Sequence, residues 1–150
     1  MSESYTVRYA HLRFKTHHKE GDTIGRGEVL GFMGSTGQST GPHLHIDVVR
    51  GRHEEMYRMH NIACGDLEPD FKQLAYFIDE ELGGGQFRVT TYPYDYRYVI
   101  DGKWKAHPGY DVVLEEPLGK IYWNRSMAGV VAKRGFDHGY GNFIQIVYQA

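Results

Sequence analysis

Two short clusters carry residue types suited to metal chemistry. His43-Leu44-His45 opens a run, His43 to Val49, that is rich in apolar and β-branched residues and reads as a strand. Strand side chains alternate, so both imidazoles share one face and Leu44 takes the other. His107-Pro108-Gly109-Tyr110-Asp111 sets an imidazole and a carboxylate four residues apart, with Pro and Gly allowing the bend that turns both toward one point. Taken singly, each cluster has an ordinary reading as surface histidines or a solvated turn. With one strand imidazole binding a metal and the other staying beside it, the two clusters together supply two nitrogen donors and one oxygen donor, a set suited to zinc with the fourth position left to water. Such an open site is catalytic in type. Neutral imidazole and ionised carboxylate bind a divalent metal near neutral pH without a thiolate. Cys64 is the single cysteine, which excludes an internal disulfide and a cysteine-built zinc site and reads as a small buried side chain.

The elements that must position these residues are short and turn-punctuated. An alternating run covers Tyr5 to Leu12, glycines follow at 21, 25, 27, 31, 34, 37 and 41, Val29 to Met33 is a short apolar strand, and GSTGQSTGP is a loop. Past Arg52, Phe71, Leu74, Ala75, Phe77, Ile78 and Leu82 recur at near-helical spacing between Glu68-Pro69-Asp70 and Gly83-Gly84-Gly85, which predicts one amphipathic helix near 69–82. Strand patterns return at Phe87 to Thr91, Tyr110 to Leu114, Ile121 to Trp123, Ala128 to Lys133 and Asn142 to Tyr148. The expected organisation is one mainly β domain over 1–150, with β-rich segments at about 5–51 and 86–149 joined by a partly helical connector.

Length and composition agree with that. The 150 residues, 41% hydrophobic and 14% aromatic, can bury a single core. Seventeen Lys+Arg against 19 Asp+Glu leave a formal net charge of -2, so no whole-chain basic field points to a nucleic-acid partner. The segment MSESYTVRYAHLRFK lacks the basic-then-apolar order of a signal peptide, and no apolar run reaches membrane-spanning length.

GDTIGRGEVLGFMGSTGQSTGPHLHIDVVRG resembles the C-terminal half of the lysostaphin/LytM-type zinc peptidases, where a glycine-rich turn, a GSTG-STGPHLH loop and a strand follow one another. Tyr9-Ala10-His11-Leu12 is similar to the Tyr-x-His-Leu strand that precedes that half. His107 to Asp111, followed by DVVLEEPLGKIYWNRSMAGVVAKRGFDHGYGNFIQIVY, resembles the family's N-terminal half, with its HxGxD turn, AxGxV hairpin and GYGN motif. The order is swapped. The resemblance therefore implies an antiparallel β-sheet domain of lysostaphin/LytM type that is circularly permuted. Residues 1–51 would be equivalent to the family's C-terminal half, 86–150 to its N-terminal half, and 52–85 a helical connector. IQIVYQA and SESYTVRYAHL would then pair as strands of one hairpin cut at its tip.

Position by position, the resemblance makes His45, His107 and Asp111 the ligands of one Zn2+, and His11 and His43 the catalytic histidines beside it. It also places a tyrosine from the loop before HxGxD near the developing oxyanion, with Tyr94, Tyr96 and Tyr98 as candidates. The implied activity is hydrolysis of peptide cross-links in bacterial peptidoglycan by a metal-activated water. Proton transfer would fall to His43 and His11, whose ordinary pKa of about 6.5 suits shuttling near neutrality. The alternative is a catalytically silent module of the same fold that binds cell wall or builds a virion. Without a visible leader, such a domain would fit a phage tail-associated lysin, with other phage tail proteins as partners. Asp47 shares the face of His43 and His45, and reads equally as a support for a ligand or as an ordinary polar strand residue. The loop Gly34 to Pro42 would border a substrate groove. His17, His18, His53 and His60 read as solvated, His138 as part of a glycine-rich turn, and the tyrosines of TYPYDYRY as strand packing.

Overall fold

A computed structural model of the chain describes residues 3–51, 62–63, 73, 87–91, 97–100, 103–106, 109–115, 118–123 and 125–150. The described residues form β1 (Ser4–Leu12), β2 (Thr23–Ile24), β3 (Val29–Phe32), β4 (Leu44–Arg50), β5 (Ile62–Ala63), β6 (Phe87–Thr91), β7 (Arg97–Ile100), β8 (Lys103–Ala106), β9 (Tyr110–Leu114), β10 (Lys120–Tyr122), β11 (Gly129–Asp137) and β12 (Gly141–Gln149). Every pairing is antiparallel, and the main sheet has seven strands in the order β2-β11-β12-β1-β4-β9-β6. The mainly antiparallel β class expected from the alternation is the observed one. The helix expected near 69–82 lies outside the described residues except for Gln73, which is helical and buried. Within the expected connector, β5 is a strand, paired through Ile62 to Ala106 of β8.

Alternation along the strands separates the two faces of the sheet. Tyr5, Val7 and Tyr9 of β1, Leu44, Ile46 and Val48 of β4, and Ile144, Ile146 and Tyr148 of β12 point into one core, which the two-stranded β3–β10 ribbon joins through Leu30 and Ile121. Trp123 fills the same core with its indole N–H on the Met127 carbonyl at 2.9 Å, so burying the ring leaves no donor unmet. The opposite face carries a polar row, with Arg8 opposite Asp47 on one side and Gln145 on the other, all fully buried.

The central pairing is β1 with β12, running from Ser4 opposite Gln149 to Leu12 opposite Asn142, and Glu3 and Ala150 exchange both backbone hydrogen bonds at 3.0 Å. These are the two runs that the swapped motif order expects to pair.

Two smaller expectations fare differently. His17 is exposed, but His18 is buried with its Nε2–H on the Val29 carbonyl at 2.8 Å, so it ties the turn after β1 to β3 instead of facing solvent. His138 is exposed at the β11–β12 turn, its ring edge on Phe136. His53, His60 and Cys64 lie outside the described residues.

Candidate active site

Three adjacent strands bring four of the expected residues together. β4 and β9 pair with His45 directly opposite Asp111, and β1 lies on the other side of β4 with Ala10 opposite His45. Nδ1 of His45 is 2.9 Å from Oδ1 of Asp111, and Nε2 of His43 is 3.8 Å from the same oxygen. The His11 ring centroid is 4.5 Å from that of His43 and 6.2 Å from that of His45.

His11 reaches this cluster because β1 breaks its own alternation. Between Tyr9 and Leu12 the register against β12 slips, with three steps on β1 matched by two on β12, and His11 adopts a φ of 61. The extra residue is a bulge, which lets Tyr9 and Leu12 both face the core while His11 turns to the histidine face. A side chain in the left-handed region is strained by about 1–2 kcal/mol. Local contacts hold it: the His11 N–H donates to the Tyr140 carbonyl at 2.7 Å and its ring Nδ1–H to the Thr36 carbonyl at 2.7 Å.

That Thr36 carbonyl is positioned by two distant loops packed against each other. Thr36 Oγ1 donates to the Leu12 carbonyl at 2.6 Å and accepts the Asn142 N–H at 3.0 Å. Gly37 and Gly141 both have positive φ, and a Cβ on Gly37 would lie 2.3 Å from the Gly141 nitrogen, so the contact requires glycine. The GSTG and GYGN motifs are thus the two halves of one clamp at the bulge. On the far side of the loop, Nδ1–H of His43 donates to the Gly41 carbonyl at 2.9 Å, with the Ser39 hydroxyl 3.1 Å away. Both His11 and His43 therefore spend Nδ1 on a carbonyl, which leaves Nε2 as the free lone pair of each neutral ring.

Gly109 sets Asp111. A Cβ there would stand 2.0 Å from the Ile46 carbonyl and 2.9 Å from Cβ of Asp47, so only glycine lets the lead-in to β9 lie flat on β4. His107, the third expected ligand, lies outside the described residues, as do Tyr94 and Tyr96 and the side chain of Tyr98.

Behind His45 stands a carboxylate. Oδ2 of Asp47 is 3.5 Å from Nε2 of His45, and Asp47 is held from the other side by Nε of Arg8 at 2.9 Å and by Nη2. The Tyr140 ring covers Arg8, with Cζ 3.8 Å from its centroid, and lies 5.3 Å from the His45 ring. Arg8 and Tyr140 are site residues that reading the sequence did not single out. An arginine in an alternating strand looks solvent-facing until its neighbour strand is known.

Burial shapes the charges. It lowers the His11 imidazole, and although the Thr36 carbonyl opposes this, His45 and His43 add to the lowering, leaving it at about 4. His11, brought below its ordinary value of about 6.5, is therefore a neutral Nε2 base at neutral pH. Burial pushes His45 down too, but Asp47 and Asp111 on its two sides outweigh it and hold it up at about 9. Burial raises Asp47, and Arg8 and His45 together outweigh that and bring it to about 2. Nδ1 of His45 thus carries a proton toward Asp111, in the place a cation would take.

Among the described residues, no group of three or more His, Cys, Asp or Glu is already arranged around a metal position. The donor chemistry nevertheless fits zinc. Two ligands in a tetrahedral site with bonds of about 2.0–2.1 Å stand about 3.3 Å apart. The 2.9 Å between His45 and Asp111 needs only a small opening to reach that, and His43, 3.8 Å from the same oxygen, stands beside them.

Residues 1–57 match the sequence model of Peptidase family M23. The peptidoglycan DD-endopeptidase ShyA of Vibrio cholerae is 41% identical over 76 residues, covering 50% of this chain and 17% of that protein. The DD-carboxypeptidase/endopeptidase Mpg of Neisseria meningitidis is 59% identical over 39 residues, or 26% of this chain and 9% of Mpg. An uncharacterized metalloprotease of Buchnera aphidicola is 47% identical over 45 residues, or 30% of this chain and 12% of its own length. The chain thus spans less than a fifth of these relatives, and the likeness supports an M23/LytM-type family. No solved structure is significantly similar to it.

Proposed function

We propose that this chain is a zinc-dependent endopeptidase that hydrolyses peptide cross-links of bacterial peptidoglycan. The observation that carries the reading is the convergence of His11, His43, His45 and Asp111 on one sheet face, in a chain whose first 57 residues match a peptidase family. The names of ShyA and Mpg supply the substrate class.

In this reading His45, His107 and Asp111 hold the zinc, and His11 and His43 are catalytic. When bound, the ion supplies a Lewis acid for the scissile carbonyl and lowers the pKa of water toward about 7. His43, with Nδ1–H anchored on Gly41, offers Nε2 to take the proton of the attacking water. His11, neutral and fixed by Thr36, offers a second Nε2 acceptor beside it, and whichever ring takes the water's proton hands that same proton on to the leaving amine. The Gly34 to Pro42 loop, whose Ser35 and Ser39 hydroxyls bond to each other at 2.9 Å, borders the groove for an extended peptide.

The same proposal makes 1–51 and 86–150 the two exchanged halves of the family's domain, a permutation that the β1–β12 pairing supports. It places the substrate at the cell wall. Among the described residues no helix is long and apolar enough to cross a membrane. Delivery on a phage tail is tested by asking whether purified virions carry the chain.

Purified sacculi of several cross-bridge types test the activity. Falling turbidity, new peptide amino termini in the products, loss with a chelator and recovery with zinc are expected. Release of sugar reducing ends without new amino termini would contradict the proposal.

A further inference from the structure

Arg8 and Asp47 take no part in the chemistry just described, yet they form a fully buried ion pair one step behind it. Such a pair loses hydration on both ions and seldom stabilises a fold more than apolar residues of similar volume. Its geometry accounts for its presence. Both carboxylate oxygens of Asp47 engage the guanidinium of Arg8, and Oδ2 also faces Nε2 of His45 at 3.5 Å. The guanidinium cannot swing away, because the Tyr140 ring lies 3.8 Å from its Cζ, and the Tyr140 backbone is tied to Oδ1 of Asp137 at 3.0 Å and to the His11 N–H. With its oxygens held by Arg8, the Asp47 carboxylate is fixed 3.5 Å from Nε2 of His45, and Nδ1 of His45 is left toward Asp111.

We propose that Arg8 and Asp47 are positioning residues that hold His45 in the orientation needed to ligate the metal. The inference rests on the zinc site proposed above. A carboxylate behind a ligating imidazole fixes its rotation and raises its basicity, and its loss typically costs about 10- to 100-fold in metal affinity. Arg8 extends that support by one residue, reaching from the strand that also carries His11.

The test separates support of the ligand from support of the fold. Removing one partner would leave an uncompensated buried charge, so both are replaced together. Arg8→Met with Asp47→Leu removes the acceptor, and Arg8→Gln with Asp47→Asn keeps a neutral one. Zinc dissociation constants are measured by competition with a chromophoric chelator, and the unfolding midpoints of the metal-free proteins are measured alongside. The Met/Leu chain is expected to unfold no earlier than wild type while binding zinc about 10- to 100-fold more weakly, with the Gln/Asn chain recovering most of the affinity. Zinc bound as tightly by a folded Met/Leu chain as by wild type would overturn the inference alone, as would a folded Gln/Asn chain that binds zinc about 100-fold more weakly than wild type. Wild type that binds no zinc would overturn the proposed site, and this inference with it.

Discussion

Replacing Gly109 by Ala probes how the two motif clusters are held together without touching any donor. The new Cβ would stand 2.0 Å from the Ile46 carbonyl oxygen, where a carbon and an oxygen in contact need about 3.3 Å. The obstacle is strand backbone flanked by β1, so the lead-in to β9 must lift by about 1.3 Å to clear it. Metal ligands tolerate only about 0.2 Å of error, and a misplacement of about 1 Å at a reacting centre can cost about 100-fold in rate. Asp111, two residues on, would move away from His45, now 2.9 Å distant. The expected outcome is sacculus clearing reduced by about 100-fold or more and zinc bound far more weakly, in a protein whose β1–β12 amides keep their protection from hydrogen exchange. Zinc affinity and clearing both equal to wild type would refute the reasoning that this glycine sets the site.

The other predictions concern the histidines and acid stability. His43→Ala is expected to lower turnover by about 10²- to 10⁴-fold while zinc stays bound, measured by clearing and metal content on one sample. His11→Gly removes the imidazole but suits a φ of 61; it should unfold about 1 kcal/mol later than His11→Ala in urea, with both inactive. Asp47 ionises at about 2 in the fold against 3.8 ordinarily, so its contribution is fully present above the ordinary value and lost as pH falls through about 2. Unfolding midpoints of the metal-free protein should therefore decline between those values, and this part of the decline should be absent when Arg8→Met and Asp47→Leu are combined.

The strands that alternate over five or more residues were legible in the sequence, because alternation depends only on which residues a half-buried strand must hide. Tyr5 to Leu12, Phe87 to Thr91, Tyr110 to Leu114 and Asn142 to Tyr148 all lie in observed strands, and His43 and Asp47 share the face of His45 as the period requires. Two-residue β2 and β5 carry too few side chains to show a period, and β7 and β8 lie in a polar, aromatic stretch whose alternation had no clear apolar side. The bulge at His11 left no mark in Tyr-Ala-His-Leu, since it is imposed by the Tyr140 and Thr36 carbonyls far away in the chain. The Arg8–Asp47 pair, separated by 39 residues, and the Thr36–Asn142 contact, separated by 106, are likewise products of strand order, to which local pattern is blind.

Zinc content by mass spectrometry, on wild type and on His45→Ala together with the molecular mass in solution, tests the central claim most directly. One zinc per chain in a monomeric wild type and none in the variant is the expected result. Zinc absent from both, or retained in full by His45→Ala, would contradict it.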